Sequence, residues 1–284
     1  MDGQVDCFVL PGHSAENSKL LGSGASGKVV KYQGKAYKIF KKYEYWEGQK
    51  KAIQSMHRWP PELKSIFVDA QIVRNIKRSH RHEPTCAVRM PALEKVRRNT
   101  PEKAWVVWRG VQQHLTQLEQ NKKAYFDVKT GNLLWKDDKR EAVLLADLDG
   151  VWHGQDEVGS TYGPPNHPGL YPTQNKQKAL KLAKQLKPWV LLAVALEMLV
   201  GHAEPLTFVE EPSQKKPLQA LQSELELLVS RARQKARVAR IAEDDIDLML
   251  AVPSQGKNEP ADTLLRSLAS KKRWGWFGWW WGGC

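Results

Sequence analysis

Asp127 and Asn132 stand five residues apart in AYFDVKTGNLLW (124–135), with Lys129 between them and an apolar run directly after. A carboxylate in such a loop can orient a hydroxyl and accept its proton, and an amide oxygen five residues on can hold a divalent cation. Beyond Asn132 comes AVLLADLDG (142–150), an apolar strand that ends in acids. Asp147, or Asp149 in the same D-x-D turn, is placed there to bind a metal that bridges phosphate oxygens. Nearer the start, Gly22, Gly24 and Gly27 with Val29 spell G-x-G-x-x-G-x-V, and such glycines let backbone amides approach a phosphate closely.

Three kinds of site use a loop of this type, and the residues after Gly27 separate them. A dinucleotide site needs a helix there, whereas KVVKYQGKAYKIF (28–40) alternates and turns like a hairpin. A P-loop, which Gly22 to Lys28 nearly spells, needs a Ser or Thr hydroxyl where Val29 stands, and again a helix. What remains is a flap between two strands that covers ATP phosphates, with a lysine on the third strand to meet them. Lys38 in AYKIF is that lysine.

These side chains need a scaffold. The stretch 20–40 predicts three antiparallel strands around a Gln33-Gly34 turn, and 43–57 predicts a helix with Trp46, Ile53 and Met56 on one face, stopped at Trp59-Pro60-Pro61. SIFVDAQIV (65–73) and TCAVRMPAL (85–93) predict two more strands, which gives a small lobe of five strands and one helix. From Lys103 onward helices dominate, at 103–121, 174–201, 216–240 and 242–252, with short strands at 132–135 and 142–147. The expected fold is α+β and bilobal: an extension over 1–17, an N-lobe over 18–93, a helical C-lobe over 94–265 and a basic, Trp-rich tail over 266–284.

Composition agrees with a folded enzyme. With 41% hydrophobic and 26% charged residues in 284, the chain can bury one large core or two lobes. Cys7, Cys86 and Cys284 lie far apart without a C-x-x-C pair, so neither a disulfide framework nor a zinc cluster is suggested. No basic and apolar leader opens the sequence and no run of about 18 apolar residues occurs, so a cytoplasmic location is expected. The net charge of +13, clustered at 74–82 and 95–98, favours anionic partners, but no nucleic-acid module accompanies it and no specific nucleic acid is expected. The tail KKRWGWFGWWWGGC (271–284) sets tryptophans among glycines behind three cations, a pattern suited to an anionic membrane surface or to packing back on the protein.

In its motifs and their order, the stretch from 18 to about 201 resembles the eukaryotic-type protein kinase superfamily, especially its compact, divergent bacterial members that act as secreted effectors. The resemblance implies a Ser/Thr kinase that uses ATP and magnesium, phosphorylates a protein substrate and reaches a host cell. It makes Lys38 the ATP-anchoring lysine, Asp127 the catalytic base, Lys129 the substrate-loop lysine, and Asn132 and Asp147 the magnesium ligands. Met90 then lies at the back of the adenine pocket, Ala92 or Leu93 offers it backbone hydrogen bonds, and Glu47 or Glu44 is the helix glutamate that pairs with Lys38. The pattern D-x-K-x-x-N is similar to that of serine/threonine-specific members. A small-molecule or lipid kinase, and a binding scaffold without catalysis, are the competing readings.

The departures carry their own expectation. Tyr125-Phe126 replaces the usual His-Arg before the base, Asp147-Leu148-Asp149-Gly150 replaces Asp-Phe-Gly, and Pro164-Pro165-Asn166 stands for Ala-Pro-Glu. Phe126 cannot grip a phosphate as an arginine would, so the following segment is expected to order without phosphorylation, held by packing around Trp152. Replacing Ser160, Thr161 and Tyr162 by Ala, Ala and Phe is then expected to keep most activity.

Overall fold

The computed structural model describes residues 18–24, 26–73, 87–154 and 156–253. All three cysteines, the basic run 74–82 and the Trp-rich tail lie outside the described residues. The chain divides into two compact units, one of residues 1–95 with 134–149 and the other of 96–133 with 150–284. The first cut falls after Lys95, whereas the sequence reading set it at 93, and the stretch 134–149, assigned there to the C-lobe, clusters with the N-terminal unit.

The first unit is built on an antiparallel sheet of five strands: β1 (Lys19–Ser23), β2 (Gly27–Tyr32), β3 (Lys35–Phe40), β4 (Gln71–Ile72) and β5 (Ala87–Pro91), in the order β1-β2-β3-β5-β4. Gln33 and Gly34 both have positive φ, 45° and 74°. That is the handed turn whose twist matches its flanking strands, and it sets the β2–β3 register. Val30, Ile39 and Ala87 form a buried cluster under the sheet, with Tyr37 and Val73 packed against it. Helix α1 (Tyr43–Met56) buries Trp46, Gln49, Ala52, Ile53 and Met56, and after Trp59-Pro60 one further helical turn follows, α2 (Pro61–Lys64).

One expected strand is mostly not in the sheet. Of the stretch 65–73 only Gln71–Ile72 joins it. The backbone at 66–68 instead pairs with a later strand: Leu145 donates to the Ile66 carbonyl and Val68 to that of Leu145, both at 2.9 Å. Those buried peptide groups therefore have partners without the sheet. The later strand is β7 (Val143–Leu145), which forms a two-stranded ribbon with β6 (Leu133–Trp135).

The second unit is helical. Helix α3 (Ala104–Gln120) and helix α5 (Leu218–Val238) pack on α4 (Lys176–Val200), and α6 (Glu243–Met249) adds to both α3 and α5. α4 starts where the Asn175 side chain accepts from the amides of Gln177 and Lys178, and stops at Gly201 with φ 90°. From Trp189 to Leu199 it is buried on every side, as a central helix must be. Two strands not expected from sequence, β8 (Glu157–Gly159) and β9 (Leu170–Pro172), pair antiparallel ahead of it. Among the described residues no helix is long and apolar enough to cross a membrane.

Candidate active site

In the first unit Lys38 sits mid-strand on β3, between Val29 of β2 and Val88 of β5, so its stem is fixed by two ladders. Its Nζ donates to Asp147 Oδ2 at 2.8 Å and lies 5.1 Å from the centre of the Phe40 ring. Asp147 follows β7 directly, which is why the apolar run before it matters: the strand delivers the carboxylate to the lysine. Asp149 is described by its backbone alone.

The glycine loop joins β1 to β2. Gly24 donates its amide to the Gly27 carbonyl at 2.8 Å, and Lys41 Nζ donates to the Gly24 carbonyl at 3.0 Å. Gly27 is needed because a Cβ there would run into the carbonyl of Ile39 on β3, whereas at Gly22 a Cβ would meet only the end of the flexible Lys95 side chain. Gly24 has no neighbour within 4 Å on that side. Val29 is half-buried on β2, opposite Gly22.

The expected partner of Lys38 on α1 is placed differently. Glu47 lies 3.6 Å from Lys50 on its own helix. Its carboxyl is held below the usual range by the Tyr43 hydroxyl first, aided by Lys50 and Lys51, against burial, which acts the other way and ranks second among the effects. Asp147 is the carboxylate that Lys38 meets, and Glu44 is exposed in the first turn of α1. Met90 is buried on β5 opposite Ala36, Ala92 and Leu93 follow half-buried, and the Leu93 amide donates to the Pro91 carbonyl at 3.1 Å.

In the second unit the loop before β6 gathers around Asp127. Lys129 Nζ donates to both carboxylate oxygens, at 2.7 and 2.9 Å, and Thr161 donates its hydroxyl to Oδ1 at 2.9 Å. Asn132 Nδ2 donates to the Asp127 main-chain oxygen at 2.9 Å and to Oδ2 at 2.7 Å. With its nitrogen so committed, Asn132 presents its amide oxygen as the hard donor that magnesium prefers. Asp127 and Asn132 are thus brought together as the five-residue spacing predicts, with Lys129 in the same cluster.

Around this cluster the chain passes closely. The Gly150 carbonyl accepts from Phe126 at 2.8 Å and the Ala124 carbonyl from Trp152 at 2.9 Å, so 124–126 and 150–152 run as a short ladder. A Cβ on Gly150 would stand 2.9 Å from both N and Cβ of Asp127. The Trp152 indole donates to the Thr173 carbonyl at 3.2 Å.

Four residues, Thr161, Thr130, Arg98 and Glu197, are not expected at this cluster from sequence. Thr161 touches Asp127, whereas Ser160 and Tyr162 are 3% exposed each, with the Ser160 hydroxyl donating to the Tyr162 carbonyl at 2.8 Å. Replacing all three is therefore not neutral by geometry, because Thr161 belongs to the site. Behind the loop, Glu197 of α4 holds Thr130 and Arg98. A lone acid inside WVLLAVALEMLV (189–200) is the one signal the sequence offered for it.

Among the described residues no three His, Cys, Asp or Glu side chains converge as a metal cage. A magnesium ion held by one or two protein oxygens and by phosphate does not need one. No protein-family model matches the chain, and comparison with curated proteins finds no match to it either.

Proposed function

We propose that the chain is an ATP- and magnesium-dependent protein kinase of the Ser/Thr type, with the two units as the lobes of a kinase-like fold. The single observation that carries this is the cluster on Asp127, where Lys129, Asn132 and Thr161 all donate to one carboxylate. So many donors fix the direction of a carboxylate, as a group that orients an incoming hydroxyl requires. The Lys38–Asp147 pair supports it from the other unit, since a strand lysine and a carboxylate after an apolar strand suit a nucleotide triphosphate and its cation.

In this reading Asp127 accepts the proton of a substrate hydroxyl as its oxygen bonds to the γ-phosphorus and the bond from that phosphorus to the β–γ bridging oxygen breaks, releasing ADP. Lys129 offsets charge on the transferred group, and Lys38 holds the phosphates of ATP. Asn132 and Asp147 would hold magnesium, which when bound neutralises charge on the phosphate oxygens. The resemblance to effector kinases extends the proposal to host proteins as substrates.

The test is incubation of purified protein with labelled ATP and myelin basic protein or casein. Label on Ser or Thr, lost by roughly 10²-fold or more in each of Lys38→Ala, Asp127→Ala and Asp147→Ala, is expected, because these groups act in the transition state. Wild-type rates in all three would end the reading.

A further inference from the structure

Glu197 is a carboxylate where α4 should carry a hydrocarbon. Its neighbours from Trp189 to Leu199 are buried, and it is itself 2% exposed. A charge so placed costs several kcal/mol unless paired and hydrogen-bonded. Here it is both. Oε1 lies 2.9 Å from Arg98 Nη2, and Oε2 accepts from the Thr130 amide at 3.1 Å and the Thr130 hydroxyl at 2.7 Å. Arg98 Nε also donates to the Thr130 hydroxyl, at 3.2 Å. The Tyr162 hydroxyl lies near the same carboxylate, and its pKa is raised by burial first and then by Glu197. Even the main-chain carbonyl of Glu197 is used, accepting from the Asn99 amide at 2.9 Å.

The residues it holds sit next to those that hold Asp127. Thr130 follows Lys129, and Tyr162 follows Thr161; Lys129 and Thr161 both donate to the Asp127 carboxylate. We propose that Glu197 is the positioning residue for Asp127: one buried carboxylate on the central helix ties down both chain segments whose side chains aim it. The proposal rests on the kinase reading of Asp127. Without Glu197 the Thr130 amide loses its acceptor and Tyr162 its charged neighbour, both segments relax, and a shift of about 1 Å at Asp127 is enough to slow transfer.

The test uses the full chain with Arg98→Met and Glu197→Leu together, because removing both charges leaves no uncompensated buried ion. Three quantities are read: amide exchange at Thr130, kcat, and ATP affinity. Thr130 is expected to exchange at least about 10-fold faster and kcat to fall roughly 10–100-fold, a larger loss than in ATP affinity, because Lys38, proposed to hold the ATP phosphates, lies in the other unit. Glu197→Gln, which keeps an acceptor oxygen, should recover most of the loss in kcat. A folded double variant with wild-type Thr130 exchange, or with wild-type kcat, overturns the proposal. If the double variant does not fold, Thr130→Val with Tyr162→Phe, which leaves the ion pair in place, is judged by kcat alone, and a wild-type value overturns the proposal. A wild-type protein that transfers no phosphate would sink the kinase reading instead, and Thr130 exchange would still decide whether Glu197 anchors the loop.

Discussion

Adding one methyl group at Gly150 tests the geometry around Asp127 directly. The new Cβ would stand 2.8 Å from Tyr125 Cε2 and 2.9 Å from Asp127 N and Cβ, whereas ordinary contact begins at 3.4 Å. From 2.9 to 3.4 Å is 0.5 Å, so the loop or the segment 150–152 must retreat by at least that much. Rotation of a side chain cannot relieve it, because Asp127 N is main chain and the Tyr125 ring is 5% exposed. Overpacking of this kind costs about 1–3 kcal/mol. A displacement of half an ångström to one ångström at the group that orients the hydroxyl should lower kcat by roughly 10–100-fold, beyond any loss of stability. Steady-state transfer of labelled phosphate, measured well below Tm, separates the two effects. Gly48→Ala is the control: no atom lies within 4 Å of its Cβ position on α1, and alanine there should stabilise by roughly 0.5–1 kcal/mol. Gly150→Ala with kcat within about twofold of wild type would refute the reasoning, whatever its Tm.

Thr161→Val removes the 2.9 Å bond to Asp127 Oδ1 with little change of volume, and kcat should fall about 10-fold or more while Thr161→Ser restores it; equal rates in the two variants would show that the hydroxyl is not used. His167 gives a pH dependence. It is 2% exposed and its Nδ1 accepts from the Gly169 amide at 3.1 Å, and burial above all lowers its pKa from 6.5 to about 4, opposed in part by the Leu206 and Thr161 carbonyls. Because the folded value lies below the unfolded one, its contribution is whole above pH 6.5 and is lost as pH falls toward 4, by roughly 2–3 kcal/mol. Urea titrations at pH 7 and pH 4.5 should show that loss in wild type and a smaller one in His167→Gln; equal losses would remove His167 as the cause.

How much of this was legible in sequence depends on whether a residue's partner is local. The β2–β3 hairpin is written in thirteen residues, because alternation and a Gln33-Gly34 turn are short-range facts, and Lys38 comes with it. The spacing of Asp127 and Asn132 is likewise local, since the loop folds on itself. The stretch 65–73 has strand-forming residues, yet nothing in it says that 66–68 pair with Leu145 rather than with the sheet. β8 and β9 are three residues each, too short for any periodicity. Glu47 had the right type and helix, but Tyr43 and Lys50, one turn away on either side, take it.

The same distinction bears on how the segment after Gly150 is kept in order. Phe126 stands where the resembling enzymes carry an arginine that grips a phosphate, so order cannot come from that pair here. Glu197 is positioned to do the equivalent work from inside, through Tyr162, while Arg98 balances its charge. An internal carboxylate is present as soon as the chain folds, whereas a phosphate must be added. Ser160 and Tyr162, buried at 3% exposure, also offer no hydroxyl for a modifying enzyme to reach without first opening the segment. A loop tied in this way holds Thr161 against Asp127 as soon as it folds, so on the proposed kinase reading phosphate transfer is expected without prior phosphorylation, by virtue of the packing of α4 rather than the loop's own sequence.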